Sequence, residues 1–135
     1  MRPSMALTIG AAVAAIFGLL LVLAPAQLLA GFGLGAPTEG VIVSRDVGAT
    51  LLGLAVINWL GRSAVGAGLR AIIVGNIVVQ VLEIVVNGYE VLIGALPAQA
   101  AGGLIIHLVI GAIFASALMR PEAEPEAAAM AAGSR

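Results

Sequence analysis

The chain has 135 residues, of which 61% are hydrophobic and 10% charged, with a formal net charge of -1 and no cysteine. A mean hydropathy of +1.17 lies far above that of a soluble globular domain and assigns the chain to lipid. Near-neutral charge with no basic run removes the electrostatic case for nucleic acid or anionic lipid, and the lack of cysteine excludes disulfides, thiolate catalysis and cysteine metal sites.

Four stretches approach or reach the ~20 residues that cross a hydrocarbon core of ~30 Å. They run over about 5 to 24, 40 to 60, 69 to 89 and 100 to 119. The expected fold is an all-α integral membrane protein: a four-transmembrane-helix antiparallel bundle over residues 1 to 119, followed by a disordered cytoplasmic tail over 120 to 135. The six basic residues are all arginine. With four crossings, Arg2, Arg62, Arg70, Arg120 and Arg135 share one side, so the positive-inside rule predicts that both termini are cytoplasmic.

The first span ends near Ala24-Pro25-Ala26, which raises the alternative of a cleaved secretory signal, but its apolar run exceeds the 7 to 15 residues of a signal core. Gly10, Ala14 and Gly18 recur at a spacing of four and form a small-residue face that allows another helix to approach closely. Residues 25 to 39, PAQLLAGFGLGAPTE, hold too many helix breakers to span. Leu28, Leu29, Phe32 and Leu34 are too apolar for a solvated linker, so a short segment at the outer interface, capping the bundle, is expected.

The second span carries Arg45 and Asp46 one to two turns inside its start. Asp46, Thr50, Gly53 and Ile57 share a face, with Arg45 about 100° away. Asn58, Trp59 and Arg62 at its far end read as an interface anchor, with the indole in the headgroup belt. The third span is the most informative stretch. At 100° per residue, Asn76, Gln80, Glu83, Asn87 and Glu90 fall within roughly 80° of one face, surrounded by Val, Ile and Leu. An ionisable residue in such a segment faces protein or a water-filled cavity rather than lipid. In the fourth span Gly103, His107 and Gly111 share one face at four-residue spacing.

Counting from the outer helix ends puts Arg45, Asp46, Glu83 and His107 at similar depth, with Asn87 above and Gln80 below. They form a candidate polar cluster or ligand site. A carboxyl group in this setting is either neutral or held beside a cation, and Arg45 is the expected partner of Glu83, with His107 or Asp46 completing the network. The cluster has two readings: a structural lock, or a binding place for a quinone, lipid headgroup or pigment-like molecule. A small residue four positions from His107 would also clear space for a tetrapyrrole, although one histidine cannot supply both axial ligands of a bis-histidine haem, and glycine at that spacing equally suits helix packing. No cofactor is required, and no metal site is expected. A proton path would be incomplete, because only Asn76 and Asn58 lie below Gln80.

The order Leu23-Ala24-Pro25, Phe32-Gly33-Leu34, RDVGATLLGLAVINWL at 45 to 60, Gly75-Asn76 and a histidine early in the fourth span resembles small bacterial four-helix membrane proteins of the DoxX-like kind, over about residues 20 to 118. Arg45 and Gly48 match that family's pattern. The resemblance implies a bacterial inner-membrane protein. Some relatives of this kind are linked to thiosulfate and quinone chemistry or act as accessory subunits of membrane complexes.

Nucleophile-elbow, Walker A, zinc-protease and cysteine-pair motifs are all absent. The expected function is therefore a non-catalytic accessory or structural subunit of a larger membrane assembly. Gly10, Ala14, Gly18, Gly103 and Gly111 are candidates for helix packing within the bundle or for contact with other membrane subunits or a second copy. The alternative is binding of a quinone, lipid or pigment-like amphipathic molecule at the outer-leaflet cluster.

Overall fold

The computed structural model describes residues 1–120. The expected disordered tail falls almost entirely outside the described residues. Helix α1 (Pro3–Leu23) starts on a proline, whose missing N–H costs nothing in a first turn, and stops at Ala24. Pro25 cannot continue it and disfavours a helical conformation in the residue before it. The same proline opens α2 (Pro25–Gly31), a short helix within the segment expected at the interface. Gly33 then turns the chain with φ +74, and Pro37 precedes α3 (Thr38–Gly61). Helix α4 (Gly66–Leu92) runs three residues past the expected span at each end, so the whole polar stripe to Glu90 lies on one uninterrupted helix. A 3-10 turn at Ala98–Ala100 leads into α5 (Ala101–Leu118).

Among the described residues there is no strand, and four helices are long and apolar enough to cross a membrane: α1, α3, α4, and α5 with its leading turn. Their outer faces carry Leu23, Leu60, Val85 and Ile105, all exposed. Bundle stability then depends on the few inward faces.

Those faces join the helices in two pairs. Helix α1 packs most extensively on α3, and α4 on α5. The first pair is close because of glycine: a Cβ on Gly48 would stand 2.9 Å from the Gly18 carbonyl oxygen, and one on Gly18 3.0 Å from that of Gly48. Further along, a Cβ on Gly10 would meet Asn58 Nδ2 at 3.2 Å. Contacts therefore move backwards along α3 as they advance along α1, the signature of antiparallel neighbours.

The two pairs meet at one end of the molecule. There Ala6 and Leu7 of α1, Ile73 of α4, and Ile110, Phe114 and Ala117 of α5 form the core. The amine of Met1 lies 3.5 Å from the Ser116 carbonyl, so α1 begins where α5 ends. The α3–α4 connection is at the same end. Arg62 packs over the Trp59 ring, 3.4 Å from its centroid, which favours both groups by cation–π attraction. Away from this end the pairs are separated by a cavity.

Candidate functional site

The cavity has a volume of about 330 Å³ and draws its walls from α1 to α5. Helix α4 turns its polar stripe toward it: Asn76, Gln80, Glu83, Asn87 and Glu90 all line the space. Opposite stand apolar side chains, among them Phe17 and Leu21 of α1 and Leu51 and Leu54 of α3. The α2 segment covers the far end, where Leu28, Leu29, Phe32 and Leu34 join the lining, as a capping segment should. A Cβ on Gly103 would lie 3.9 Å from the Phe32 ring, so this glycine leaves room just beneath the cover.

Polar contacts run up the stripe from the closed end. Asn58 and Asn76 are 0% and 2% exposed. Asn58 Nδ2 donates to Asn76 Oδ1 at 2.9 Å, Asn76 Nδ2 donates back to Asn58 Oδ1 at 2.7 Å, and the same nitrogen donates to the Ile72 carbonyl at 2.9 Å. Asn58 is thus an internal lock between α3 and α4. Of the three residues expected as an anchor, Trp59 and Arg62 are exposed, whereas Asn58, about 100° around α3 from Trp59, is buried.

One turn further, His107 Nδ1 meets Gln80 Oε1 at 2.8 Å. With the Gln80 oxygen as acceptor, Nδ1 carries the proton, and the lone pair of a neutral ring lies on Nε2. Nε2 faces Glu83 Oε2 at 3.9 Å, with 28% and 47% of the two side chains exposed. Glu83 Oε2 accepts a hydrogen bond from Asn87 Nδ2 at 2.8 Å, and Asn87 Nδ2 also donates to the Glu83 carbonyl at 2.8 Å. Gln80, Glu83, Asn87 and His107 therefore come together, and of the layer expected from Arg45, Asp46, Glu83 and His107 they include the last two.

Arg45 and Asp46 do not join it. Both are exposed, and among the described residues the one ion-pair geometry is His107 with Glu83. The depth expected for Arg45 was compatible with contact, but the rotation of α3 is not. Close approach of Gly48 to Gly18 directs Val47, Leu51 and Leu54 at the cavity, and at 100° per residue Arg45 lies roughly 150° around the helix from their mean direction. Arg45 consequently makes no bridge to Glu83.

The small-residue faces, expected as helix-packing or partner contacts, have neighbours within the chain. Gly10, Ala14 and Gly18 are buried within the chain, against Phe114, Asn58 and α3. A Cβ on Gly111 would meet Gln80 Cβ at 3.4 Å, while Gly103 lines the cavity. Within the chain these five residues face neighbouring helices or the cavity. Sequence reasoning named Phe32 in the capping segment but missed Phe17 and Phe114. Phe17, Phe32 and Phe114 all line the cavity, and nothing in a uniformly apolar pattern distinguishes such side chains from lipid-facing ones.

The geometry adds nothing for a tetrapyrrole, since the nitrogen left for axial ligation faces the Glu83 carboxylate. Among the described residues no group of three His, Cys, Asp or Glu side chains could hold a metal ion. No protein-family model, curated protein or solved structure matches the chain, leaving the DoxX-like resemblance to rest on the residues quoted for it.

Proposed function

We propose that the protein is a multi-pass membrane protein that holds an amphipathic small molecule between its two helix pairs. The apolar part of the guest lies against Phe17, Leu51 and Leu54, and its polar part against Gln80, Glu83, Asn87 and His107. The observation that carries this reading is the division of one cavity into an apolar wall and a polar stripe. Ligand sites are mostly apolar concavities with a few convergent polar groups, in the range of ~300 to 1,000 Å³. In lipid, such a stripe would be costly if it faced the hydrocarbon, and turning it inward removes that cost.

Arg2, Arg62, Arg70 and Arg120 all belong to the closed end, which supports a cytoplasmic position for that end and for the start of the chain. The covered end of the cavity then lies in the outer leaflet, within reach of lipids and quinones. The resemblance suggests the bacterial inner membrane as the compartment.

The experiment is native mass spectrometry of the protein extracted gently from its own membrane, compared with two neighbouring variants. Gly103→Leu projects into the cavity, whereas Gly102→Leu is exposed and meets nothing within 4 Å of its first added carbon. A small-molecule adduct retained by Gly102→Leu and lost from Gly103→Leu is the expected result. An adduct that survives in both, or is absent from the unaltered protein, would overturn the reading.

A second reading, as a subunit of a larger membrane assembly, is favoured by Arg45 and Asp46. They lie exposed on α3 at roughly 10 to 12 Å from its first residue. Charged side chains at that depth are usually covered by protein. The partner surface in this reading is the outer face of α3, with Asp46, Thr50 and Gly53, and not the glycine faces of α1 and α5.

A further inference from the structure

The cavity's hydrogen-bonding inventory selects among polar head groups, and we infer that the guest is a lipophilic cation with an ammonium-type head. This rests on the cavity reading above and names the chemistry of its occupant. Among the described residues two carboxylates, Glu83 and Glu90, line the space, and no arginine does. The sequence contains no lysine to supply the missing charge. Arg45, the basic residue nearest this half of the bundle in depth, is turned outward. In formal charges, even a protonated His107 offsets only one of the two carboxylates.

Donors and acceptors point the same way. Asn87 Nδ2 spends its hydrogens on the carbonyl and carboxylate of Glu83, and Asn76 Nδ2 spends its own on Asn58 and Ile72. His107 Nδ1 is occupied by Gln80. The neutral donor left on the stripe is Gln80 Nε2. Acceptors remain in greater number: among the described residues, Glu83 Oε1, Asn87 Oδ1 and the Glu90 carboxylate receive no hydrogen bond from a side chain. A phosphate or a fatty-acid carboxylate needs several donors and a quinone has no charge to offer, whereas the stripe presents one neutral donor against several acceptors and two carboxylates. A primary ammonium brings three donors and a positive charge, matching what is left. The Phe32 ring lines the same cavity, and an aromatic ring is a favourable neighbour for a cation.

The test uses the full chain in nanodiscs of zwitterionic lipid, with dodecylammonium, dodecanol and dodecanoate as probes sharing one alkyl chain. Binding is measured by equilibrium dialysis at neutral pH, with protein-free discs subtracted. The expected result is saturable one-to-one binding of dodecylammonium, roughly tenfold or more tighter than dodecanol, the scale of a charged hydrogen bond. Glu83→Gln should bring the two probes closer together without changing thermal stability. Dodecanol or dodecanoate binding as tightly as dodecylammonium would overturn the cationic assignment. If that binding were lost in Gly103→Leu, the cavity reading would stand while this inference fell. Saturation by none of the three would remove both. The comparison of probes on the unaltered protein decides the matter even if Glu83→Gln folds poorly.

Discussion

Asn58 and Asn76 donate to each other across α3 and α4, at 2.9 and 2.7 Å, where neither side chain reaches solvent. A reciprocal amide pair leaves little for a single truncation to fall back on. Asn76→Leu strands the Asn58 amide, and the expected cost is about 1 to 3 kcal/mol. Asn58→Leu should cost a similar amount, and the double variant less than the sum. A double-mutant cycle of unfolding in mixed micelles measures this, and strictly additive losses would show that the pair does not act as a unit.

The approach of α1 to α3 makes a second, steric prediction. Gly48→Ala sets a methyl 2.9 Å from a backbone oxygen on α1, an atom that cannot rotate away. Overpacking of this kind costs about 1 to 3 kcal/mol. Gly75→Ala, on α4 with open space around it, should instead be neutral or stabilising by up to ~1 kcal/mol, because alanine is the better helix former. Thermal unfolding of the two variants side by side tests the contrast.

The chain's single histidine makes its tautomer directly readable. With Gln80 Oε1 accepting from Nδ1, the neutral ring should be predominantly Nδ1-protonated. Nitrogen chemical shifts of labelled protein should show that form, and Gln80→Leu should shift the population toward the Nε2-protonated tautomer. An unchanged spectrum would mean that Gln80 does not set the tautomer.

The outward charges on α3 give a prediction about partners. Since no native cysteine competes, Gly53→Cys places one thiol on the exposed face shared with Asp46. If this face meets a second copy or another subunit, oxidation in native membranes should trap a covalent adduct there, and Val85→Cys, exposed on α4, should trap none. Equal yields at both positions would indicate random collision.

The parts of the site legible beforehand were those governed by periodicity along one helix. The alignment of Asn76, Gln80, Glu83, Asn87 and Glu90 follows from 100° per residue, and the observed cavity receives all five. Likewise the proline and glycine density at 25 to 39 foretold a non-spanning segment. Relations between helices were less legible. Depth can be counted from helix ends, but rotation about the axis is set by the closest contact. Gly18 facing Gly48 therefore decided against Arg45. Asn58 was misread for a related reason: its neighbour Trp59 and the nearby Arg62 do sit on the outside, and only the rotation of α3 separates them from it.

The arrangement of a locked end and a covered cavity has a mechanical consequence. Asn76 and Glu90 are separated by roughly 21 Å of α4. Taking the asparagine pair as a fulcrum, a swing of about 5° between the helix pairs moves the far end by roughly 2 Å on that lever arm. A change of about half the width of a methyl group thus requires no break in the amide pair. The locked end would be the pivot of any such swing, and the covered end the place where it is largest.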